Sequence, residues 1–456
     1  MKIIVVGCGK IGTGLIGSLV EEGHDVTAVD IDPDVIGDIT NAYDVMTVIG
    51  NGVDCDTLEE AGARSARLLI AVTPRDEVNI LCCLLSRRMG THHAVARVED
   101  PNSSDRELAF IKKHTSVSMF LNPSKLVAEE LANMLKLPSG IRAEYFARRK
   151  FEMIQLKVKA DSPLRGLSLS EMRQVYKGQY LVLAAARGDK VVVPKGPFVL
   201  ESGDEILIGA KREGIEFLLK ELGYWTNATK SVMIVGGSRT AYFLATSLTK
   251  QKVKVKIIEQ DRKHCLELCD LIPDASIIQG DGSRRELLEE EGLGSVDALV
   301  TLTGIDEQNL LMTIFAQKNH VRRALCKIDR EEFTELASDM DVDSFVSPGS
   351  LVNNNVIRYA RAIENSEGSK METLYRLMDD KLEASEFIVQ PGFEYEDMTL
   401  AELSKRMKEN ILIGGIQRDN VLIIPGGDDV IQVGDRVIVV AANQPIRDLT
   451  DIMKED

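Results

Sequence analysis

The chain contains the same order of motifs twice, and this internal repeat constrains the fold more than any single motif. The corresponding positions, 229 to 231 residues apart, are Gly7 and Gly236, Asp30 and Glu259, Thr73 and Thr303, Pro194 and Pro425, and Gly203-Asp204 and Gly434-Asp435. The offset drifts by only two residues over the whole repeat. This constancy favours a duplicated two-domain unit over two unrelated domains that share a nucleotide motif.

Length and charge limit the classes of protein to which the chain can belong. Its 456 residues suffice for three or four domains of ordinary size, and the repeat requires four. The net charge of −16 disfavours binding to nucleic acid or to anionic lipid surfaces. No apolar run approaches the ~20 residues of a membrane span, and the first residues form a core strand instead of a signal peptide. We therefore expect a cytoplasmic protein without direct membrane insertion.

The cysteines indicate a reducing compartment. There are seven, and none forms a Cys-x-x-Cys motif, which fits the cytosol and gives no structural zinc site. Cys265 and Cys269 can share a helix face near His264, but the fourth ligand of a zinc site is missing, so buried or half-buried cysteines are favoured. We expect no metal site.

A glycine-rich loop near the start predicts nucleotide binding. A β-branched strand leads into it, and a helix and a second strand ending at Asp30 follow, which is the context of the dinucleotide-binding fingerprint. Gly7 permits the tight turn, Gly9 lets the backbone approach a pyrophosphate, and Gly12 lets helix and strand pack closely. The candidate binding residues of the loop are Gly7, Cys8, Gly9, Lys10, Ile11 and Gly12.

Asp30 indicates which nucleotide the site prefers. Its carboxylate can accept hydrogen bonds from ribose hydroxyls, whereas a 2′-phosphate would be repelled. The expected ligands are therefore NAD(H) or the adenosine end of ATP or ADP. Lys10 either neutralises phosphate charge or is a solvated surface lysine, and the sequence does not decide between the two.

The remaining alternation of strands and helices predicts a doubly wound parallel sheet. Ligands bind beyond the carboxyl ends of such strands, where Asn51, Gly52, Thr73 and Arg97 fall. Residues 73–76 resemble a helix N-cap followed by proline, with Thr73 as the cap. Arg97 can reach a phosphate or pair with an acid across a subunit contact.

The second copy differs where the ligand would lie closest. Ser238 replaces the second glycine and adds a side chain where the backbone approaches the pyrophosphate, and Ala241 replaces the third. The candidate residues of this copy are Gly236, Ser238, Arg239, Thr240, Glu259, Asp281, Gly282 and Lys327. We expect a second site that is weaker, takes a different ligand or is vestigial.

Each nucleotide-binding half is followed by a compact, β-rich module. The predicted fold class is α/β, with two doubly wound Rossmann-like parallel-sheet domains, each followed by a small α+β domain. The predicted domain bounds are 1–138, 139–225, 230–364 and 370–456. Arg187 and Arg418 are candidate contacts for a further ligand, such as a cyclic dinucleotide or a cation, or else solvated turn residues.

The small modules argue against an enzyme. A Rossmann dehydrogenase usually takes its proton-transfer residue from the partner domain, yet no histidine lies between His114 and His264 or after His320. Lysines and tyrosines are present, so an NAD-dependent oxidoreductase stays an alternative. A scaffold with empty Rossmann folds is another.

Together these motifs resemble a known family over essentially the whole chain. The residues that carry the resemblance are the loop Gly7-Cys8-Gly9-Lys10-Ile11-Gly12, Asp30, the turn Gly50-Asn51-Gly52, Thr73 to Asn79, Arg97, and the twice-used proline and Gly-Asp pair. The chain is similar to the RCK/KTN regulators of potassium transport, in their tandem TrkA-type form found in Trk uptake systems. The resemblance implies small domains of the RCK C-terminal type.

The resemblance also implies a function without catalysis. Members of this family bind NADH, NAD, ATP or ADP, typically assemble as homotetramers, and form a ring beneath a membrane-embedded Trk-type potassium channel or transporter subunit. Nucleotide binding then gates that subunit. By position, the glycine loop with Lys10 would hold phosphates, Asp30 the ribose, Asn51 and Gly52 the adenine, and Arg97 a phosphate. Such a protein is peripheral, on the inner face of the membrane.

Overall fold

The computed structural model describes all residues except 101–104, 116, 138–140, 147–149, 225–228, 331, 341, 343, 365–369, 379–380, 397 and 455–456. The chain forms two compact units. One comprises residues 1–135 with 229–357, and the other 136–228 with 358–456. The predicted domain bounds at 138, 139, 225 and 456 lie outside the described residues, and the proposed domain limits stay a prediction.

The first nucleotide domain is a six-stranded parallel sheet in the order β3-β2-β1-β4-β5-β6. Its strands are β1 (Lys2–Val6), β2 (Asp25–Asp30), β3 (Met46–Ile49), β4 (Leu68–Ala71), β5 (His93–Arg97) and β6 (Met119–Leu121). Its helices are α1 (Lys10–Glu21), α2 (Pro33–Ala42), α3 (Cys55–Glu60), α4 (Asp76–Met89), α5 (Asp105–Thr115) and α6 (Pro123–Met134). The strand order reverses between β1 and β4, the point at which α/β sheets bind ligands.

A five-stranded antiparallel sheet, in the order β10-β9-β11-β8-β7, follows in the first small domain. Its elements are β7 (Arg142–Phe146), β8 (Phe151–Lys157), α7 (Leu169–Val175), β9 (Tyr180–Arg187), β10 (Lys190–Val192), β11 (Glu205–Ala210) and α8 (Arg212–Glu221).

The second nucleotide domain repeats the first sheet in the order β14-β13-β12-β15-β16-β17. Its strands are β12 (Ser231–Val235), β13 (Lys254–Glu259), β14 (Ser276–Gln279), β15 (Ala298–Thr301), β16 (Arg323–Lys327) and β17 (Phe345–Val346). Its helices are α9 (Arg239–Lys250), α10 (Arg262–Leu271), α11 (Arg285–Glu290), α12 (Asp306–Lys318), α13 (Glu332–Asp339) and α14 (Pro348–Glu364), with a 3-10 turn at Leu293–Ser295.

The second small domain repeats the antiparallel sheet in the order β18-β19-β22-β20-β21. Its elements are β18 (Lys370–Leu377), β19 (Leu382–Ile388), α15 (Leu400–Arg406), β20 (Ile411–Arg418), β21 (Val421–Ile423) and β22 (Arg436–Ala442), with a 3-10 turn at Leu449–Ile452. The short helices α7 and α15 begin with the same capping box, formed by Ser168 with Glu171 and by Thr399 with Glu402. The predicted fold class is confirmed.

The two nucleotide domains exchange their last helices. Val127 and Leu131 of α6 are buried in one core with Leu244 and Leu248 of α9, in the second domain. In the opposite direction, the Nδ2 of Asn353 in α14 donates to the Oγ of Ser18 in α1, at 3.1 Å. Because α1 and α9 each begin at a glycine loop, this exchange fixes the two loops relative to each other.

The two small domains share an apolar core. Phe151 and Leu183 of the first sheet are buried in one cluster with Leu422 and Ile438 of the second. Burying such side chains is worth about 1.5–3 kcal/mol each, before the entropy of ordering them. Within the described residues, no helix combines the length and the apolar composition needed to cross a bilayer.

Candidate functional site

The first glycine loop has the geometry that its glycines require. Gly7 has a φ of +93°, and a Cβ there would lie 2.8 Å from the backbone nitrogen of Thr73. A Cβ on Gly12 would lie 1.9 Å from the carbonyl oxygen of Gly7, so α1 packs against its own loop only without a side chain there. A Cβ on Gly9 would meet nothing within 4 Å, so the backbone at Gly9 faces open space. This is the space that a pyrophosphate would need.

Asp30, at the carboxyl end of β2, is bound to the same loop. Its carboxylate accepts hydrogen bonds from the backbone N–H of Cys8, at 2.7 Å, and of Asp32, at 3.0 Å. Burial, and next the charge of Asp30, raise the pKa of the Cys8 thiol to about 12. The thiol is therefore neutral at physiological pH and is not a nucleophile.

A cavity of about 1510 Å³ opens above this loop. Pockets for small molecules are commonly about 300–1,000 Å³, so a dinucleotide fits here. The predicted residues of the first copy that line it are Gly7, Cys8, Gly9, Lys10, Ile11, Asp30, Asn51, Gly52, Thr73 and Arg97. The second copy contributes Ser238, Arg239, Thr240 and Lys327 to the same cavity. The structure thus brings residues from both copies to one place.

Five predicted residues lie outside the lining of this cavity. They are Gly12, Gly236, Glu259, Asp281 and Gly282. Gly12 packs inside the loop, whereas the other four belong to the second copy, and their assignment to a second nucleotide site stays a prediction. Asp281 accepts hydrogen bonds from the hydroxyl and the backbone N–H of Ser283, and these lower the pKa of its carboxyl.

The second glycine loop is surrounded differently from the first. The carboxylate of Glu259 accepts a 2.6 Å hydrogen bond from the backbone N–H of Gly237, as Asp30 does from Cys8. However, the Nε2 of His264 lies 2.7 Å from the carbonyl oxygen of Gly237, and a Cβ on Gly237 would lie 2.6 Å from Leu268. Gly237 is the equivalent of Cys8, and the residues that follow it, Ser238, Arg239 and Thr240, line the same cavity as the first loop.

Helix N-termini and equal numbers of basic and acidic side chains line the cavity. Residues at the N-termini of α1, α6, α9 and α14 line it, and helix N-termini attract anions. The basic residues of the lining are Lys10, Arg75, Arg97, Arg239, Lys327 and Arg330, and the acidic ones are Asp30, Asp32, Asp38, Glu99, Asp329 and Glu332. Positive helix ends and guanidinium groups at one cavity suit a phosphorylated ligand.

Thr73 does not cap a helix, contrary to the sequence interpretation. Helix α4 begins at Asp76 with Arg75 as its N-cap residue. The reason is Asn79, which is fully buried: its Oδ1 accepts from both the backbone N–H and the hydroxyl of Thr73, and its Nδ2 donates to the carbonyls of Thr73 and Arg97. Asn79 thus joins the ends of β4 and β5.

The role of this asparagine was not predicted from the sequence. Asn309 makes the same four bonds, to Thr303 and to the carbonyl of Lys327, in the second copy. The available signal was the repeat itself, since an asparagine follows the threonine by six residues in both copies.

Arg187 and Arg418 are held by ion pairs within their own domains. The guanidinium of Arg187 donates to both carboxylate oxygens of Asp204, at 2.7 Å each. Arg418 donates to Asp435 in the same way, at 2.9 and 2.7 Å. Neither is a freely solvated turn residue, and these pairs explain the repeated Gly-Asp signature. Among the residues that the structure describes, no group of three or more His, Cys, Asp or Glu side chains is placed to hold a metal.

Comparison with protein families finds two domain types, each of them twice along the chain. Residues 3–110 and 232–348 each match the TrkA-N domain, and residues 153–223 and 384–454 each match the TrkA-C domain. The Trk system potassium uptake protein TrkA homolog of Archaeoglobus fulgidus is 29% identical, with 100% of both chains covered. The Trk system potassium uptake protein TrkA of Haemophilus influenzae is 26% identical, over 97% of this chain and 96% of its own.

Solved structures share the fold at low identity. The GsuK channel bound to NAD has a TM-score of 0.62 at 16% identity, covering 97% of this chain and 76% of that chain. GsuK bound to ADP has a TM-score of 0.51 at 14% identity, covering 80% of this chain and 70% of that chain. With both domain types present twice along its length, the chain belongs to the tandem TrkA family of potassium uptake proteins.

Proposed function

We propose that this protein is a nucleotide-sensing regulatory subunit of a Trk potassium uptake system, and that it gates a membrane-embedded channel or transporter subunit. The observation that carries the proposal is the cavity beside the first glycine loop, because residues of both repeats line it. A ligand in this cavity contacts two domains at once. The proposed role requires binding and a change of conformation, and no catalysis.

The proposed ligands are NAD(H), ATP and ADP. The open backbone at Gly9 and the helix N-termini suit phosphates, and Asp30 suits an unphosphorylated ribose. The GsuK channel, which has the same fold, has been solved with NAD and with ADP. By position, Asn51 and Gly52 would border the adenine, and Lys10 and Arg97 would lie near the phosphates.

The coupling follows from the construction of the cavity. A ligand changes an equilibrium between two conformations only to the extent that it binds them with different affinity. If the two repeats shift relative to each other, contacts of the ligand with the second repeat, such as those to Arg239, are gained or lost. Such differences are typically worth about 1–3 kcal/mol per site, and several sites in one ring would add to the same bias.

Self-association is part of the proposal. Leu81 of α4 and Leu311 of α12 occupy equivalent positions in the two repeats, and both are exposed leucines. Exposed apolar side chains on corresponding faces of the two repeats suit contacts between copies of the chain. We propose a homotetrameric ring at the cytoplasmic face of the membrane, held there by its partner.

Transport measurements test this function. Potassium uptake would be measured in proteoliposomes that hold the membrane Trk subunit of the same organism, with and without this protein, in NADH, NAD, ATP and ADP. We expect at least one nucleotide to change uptake severalfold, and only when this protein is present. Uptake that is the same with and without the protein in every nucleotide would refute the proposal.

A further inference from the structure

Glu99 bridges two arginines from different repeats. Its Oε1 forms an ion pair with the Nη2 of Arg97, at 2.9 Å, and its Oε2 accepts a hydrogen bond from the Nη1 of Arg239, at 2.8 Å. All three residues line the cavity, and the side chain of Glu99 is only 12% exposed. One carboxylate therefore occupies the place where two guanidinium groups meet.

The backbone at Glu99 is held in place by the carboxylate of Asp76. The carboxylate of Asp76, at the start of α4, accepts from the backbone N–H groups of both Glu99 and Asp100, at 2.9 Å each. Arg97 is in turn placed by a bond from its Nη1 to the carbonyl of Thr73, at 3.3 Å. Its Nε is buried and has no hydrogen-bond partner in the described part of the chain.

The second repeat shows that the bridge is specific to one side. Lys327 and Asp329, equivalent to Arg97 and Glu99, pair with each other at 2.7 Å. The equivalent of Arg239 is Lys10, and among the described residues Asp329 makes no ion pair with it. An aspartate is one methylene shorter than a glutamate, and a lysine lacks the forked guanidinium group of an arginine. Asp329 and Lys10 are therefore less able to contact each other than Glu99 and Arg239 are.

We propose that Glu99 occupies the anion position between Arg97 and Arg239 when the site is empty, and that a phosphate group of the bound nucleotide displaces it. The inference deepens the proposed function and rests on it. A phosphate offers the same oxygens to guanidinium groups as a carboxylate does, with more negative charge. Glu99 thus acts as an internal competitor of the ligand.

Displacement has two consequences. Glu99 lowers the affinity for phosphorylated ligands, since binding must first break its two ion pairs with Arg97 and Arg239. Binding also exchanges the Glu99–Arg239 pair, which joins the two repeats, for a contact between Arg239 and the ligand. Binding of the phosphate therefore breaks the ion pair that joins the two repeats.

Calorimetric titration of ADP and of adenosine into the full-length protein tests the inference, with three variants. Glu99→Gln removes the charge. Glu99→Asp keeps the charge but shortens the side chain to that of Asp329. Glu59→Gln removes an exposed glutamate that pairs with Arg64, outside the cavity lining, and is the control for net charge.

We expect Glu99→Gln to bind ADP about tenfold more tightly than the parent and Glu99→Asp at least about threefold more tightly. Glu59→Gln should match the parent. Adenosine, which has no phosphate, should bind all four proteins equally or give no heat with any. In an Arg239→Gln background, the gain from Glu99→Gln should fall below about threefold.

Equal or weaker ADP binding by both Glu99 variants, with unchanged circular dichroism, would overturn the inference. A gain that persists fully in the Arg239→Gln background, or that Glu59→Gln reproduces, would also overturn it. The proposed function fails separately, if neither the parent nor Glu99→Gln binds NADH, NAD, ATP or ADP.

Discussion

The carboxylate of Asp30 accepts a 2.7 Å hydrogen bond from the backbone N–H of Cys8, and this bond joins the end of β2 to the glycine loop. Glu259 makes the equivalent bond to Gly237. The two loops nevertheless differ, because Ser238 stands in the second at the position of Gly9, and His264 contacts the carbonyl oxygen of Gly237. The same backbone bond thus supports two loops that line one cavity, with Gly9 in the first and Ser238 in the second.

Replacing Gly9 by alanine should separate binding from folding. A Cβ at this position meets nothing within 4 Å and its φ is −68°, so the empty protein accommodates alanine. The methyl group would occupy the space of the pyrophosphate, so we expect nucleotide affinity to fall at least about tenfold. The melting temperature should change by less than about 2 °C. Calorimetric titration and thermal unfolding measure the two effects.

Gly37→Ala is the matched control for this prediction. Gly37 lies exposed within α2, outside the cavity lining, and a Cβ there also meets nothing. Alanine should stabilise this helix by about 0.5–1 kcal/mol and leave nucleotide affinity unchanged. Unchanged affinity in Gly9→Ala would mean that no phosphate passes close to this backbone.

Replacing Leu311 by aspartate should weaken self-association. The side chain is 64% exposed on α12, so the charge is tolerated in the free chain but not in a contact between copies. Sedimentation velocity should show Leu311→Asp shifted from the tetramer towards smaller species. Val421→Asp, at a side chain 60% exposed in β21, is the control and should sediment as the parent. A parent that is monomeric at micromolar concentration would contradict the assembly proposed here.

The Arg187–Asp204 pair should make stability depend on pH below about 5. Burial alone would raise the pKa of Asp204. Hydrogen bonds from Arg187 and from the backbone N–H of Glu201, together with the charge of Arg187, outweigh the effect of burial. The pKa of Asp204 is therefore below its usual value. Because the pKa of Asp204 is lower in the folded state, its ionised carboxylate stabilises the fold at any pH above the unfolded-state pKa of about 3.9. This stabilisation is lost as the pH falls towards the folded-state pKa.

Asp204→Asn should therefore cost about 1–3 kcal/mol of unfolding free energy at pH 7 and progressively less below pH 4. Urea unfolding of parent and variant at pH 7, 5 and 3.5 measures the difference. Asp161→Asn, at an exposed position in the same small domain, should behave as the parent. A difference that stays constant from pH 7 to pH 3.5 would show that the charge of Asp204 is not responsible.

The sequence was sufficient to predict the duplicated fold. The central parallel strands β1 and β4 are almost continuous apolar runs, because both faces of such a sheet are covered by helices. The constant spacing from Gly7 to Asp30, and from Gly236 to Glu259, then placed two copies of one sheet. Local patterns of this kind depend on neighbours in the chain and are readable without a structure.

The composite cavity was not predictable in the same way. The repeat in the sequence assigns Arg239 and Lys327 to a second site, yet they line the cavity of the first repeat. Their position follows from the exchange of α6 and α14 between the domains, and domain packing of this kind leaves no periodic signal in the sequence. Glu99 was missed for the same reason, since its partner Arg239 is 140 residues away.

The most direct test of the account is calorimetric titration of NADH and ADP into the full-length protein, its Asp30→Ala variant and its Asp25→Ala variant. Asp25 is an exposed aspartate at the opposite end of the same strand and serves as the control. We expect the parent and Asp25→Ala to bind alike, without turnover, and Asp30→Ala to bind at least about tenfold more weakly. Equal binding by all three, or no binding by the folded parent, would contradict a nucleotide site at the first glycine loop.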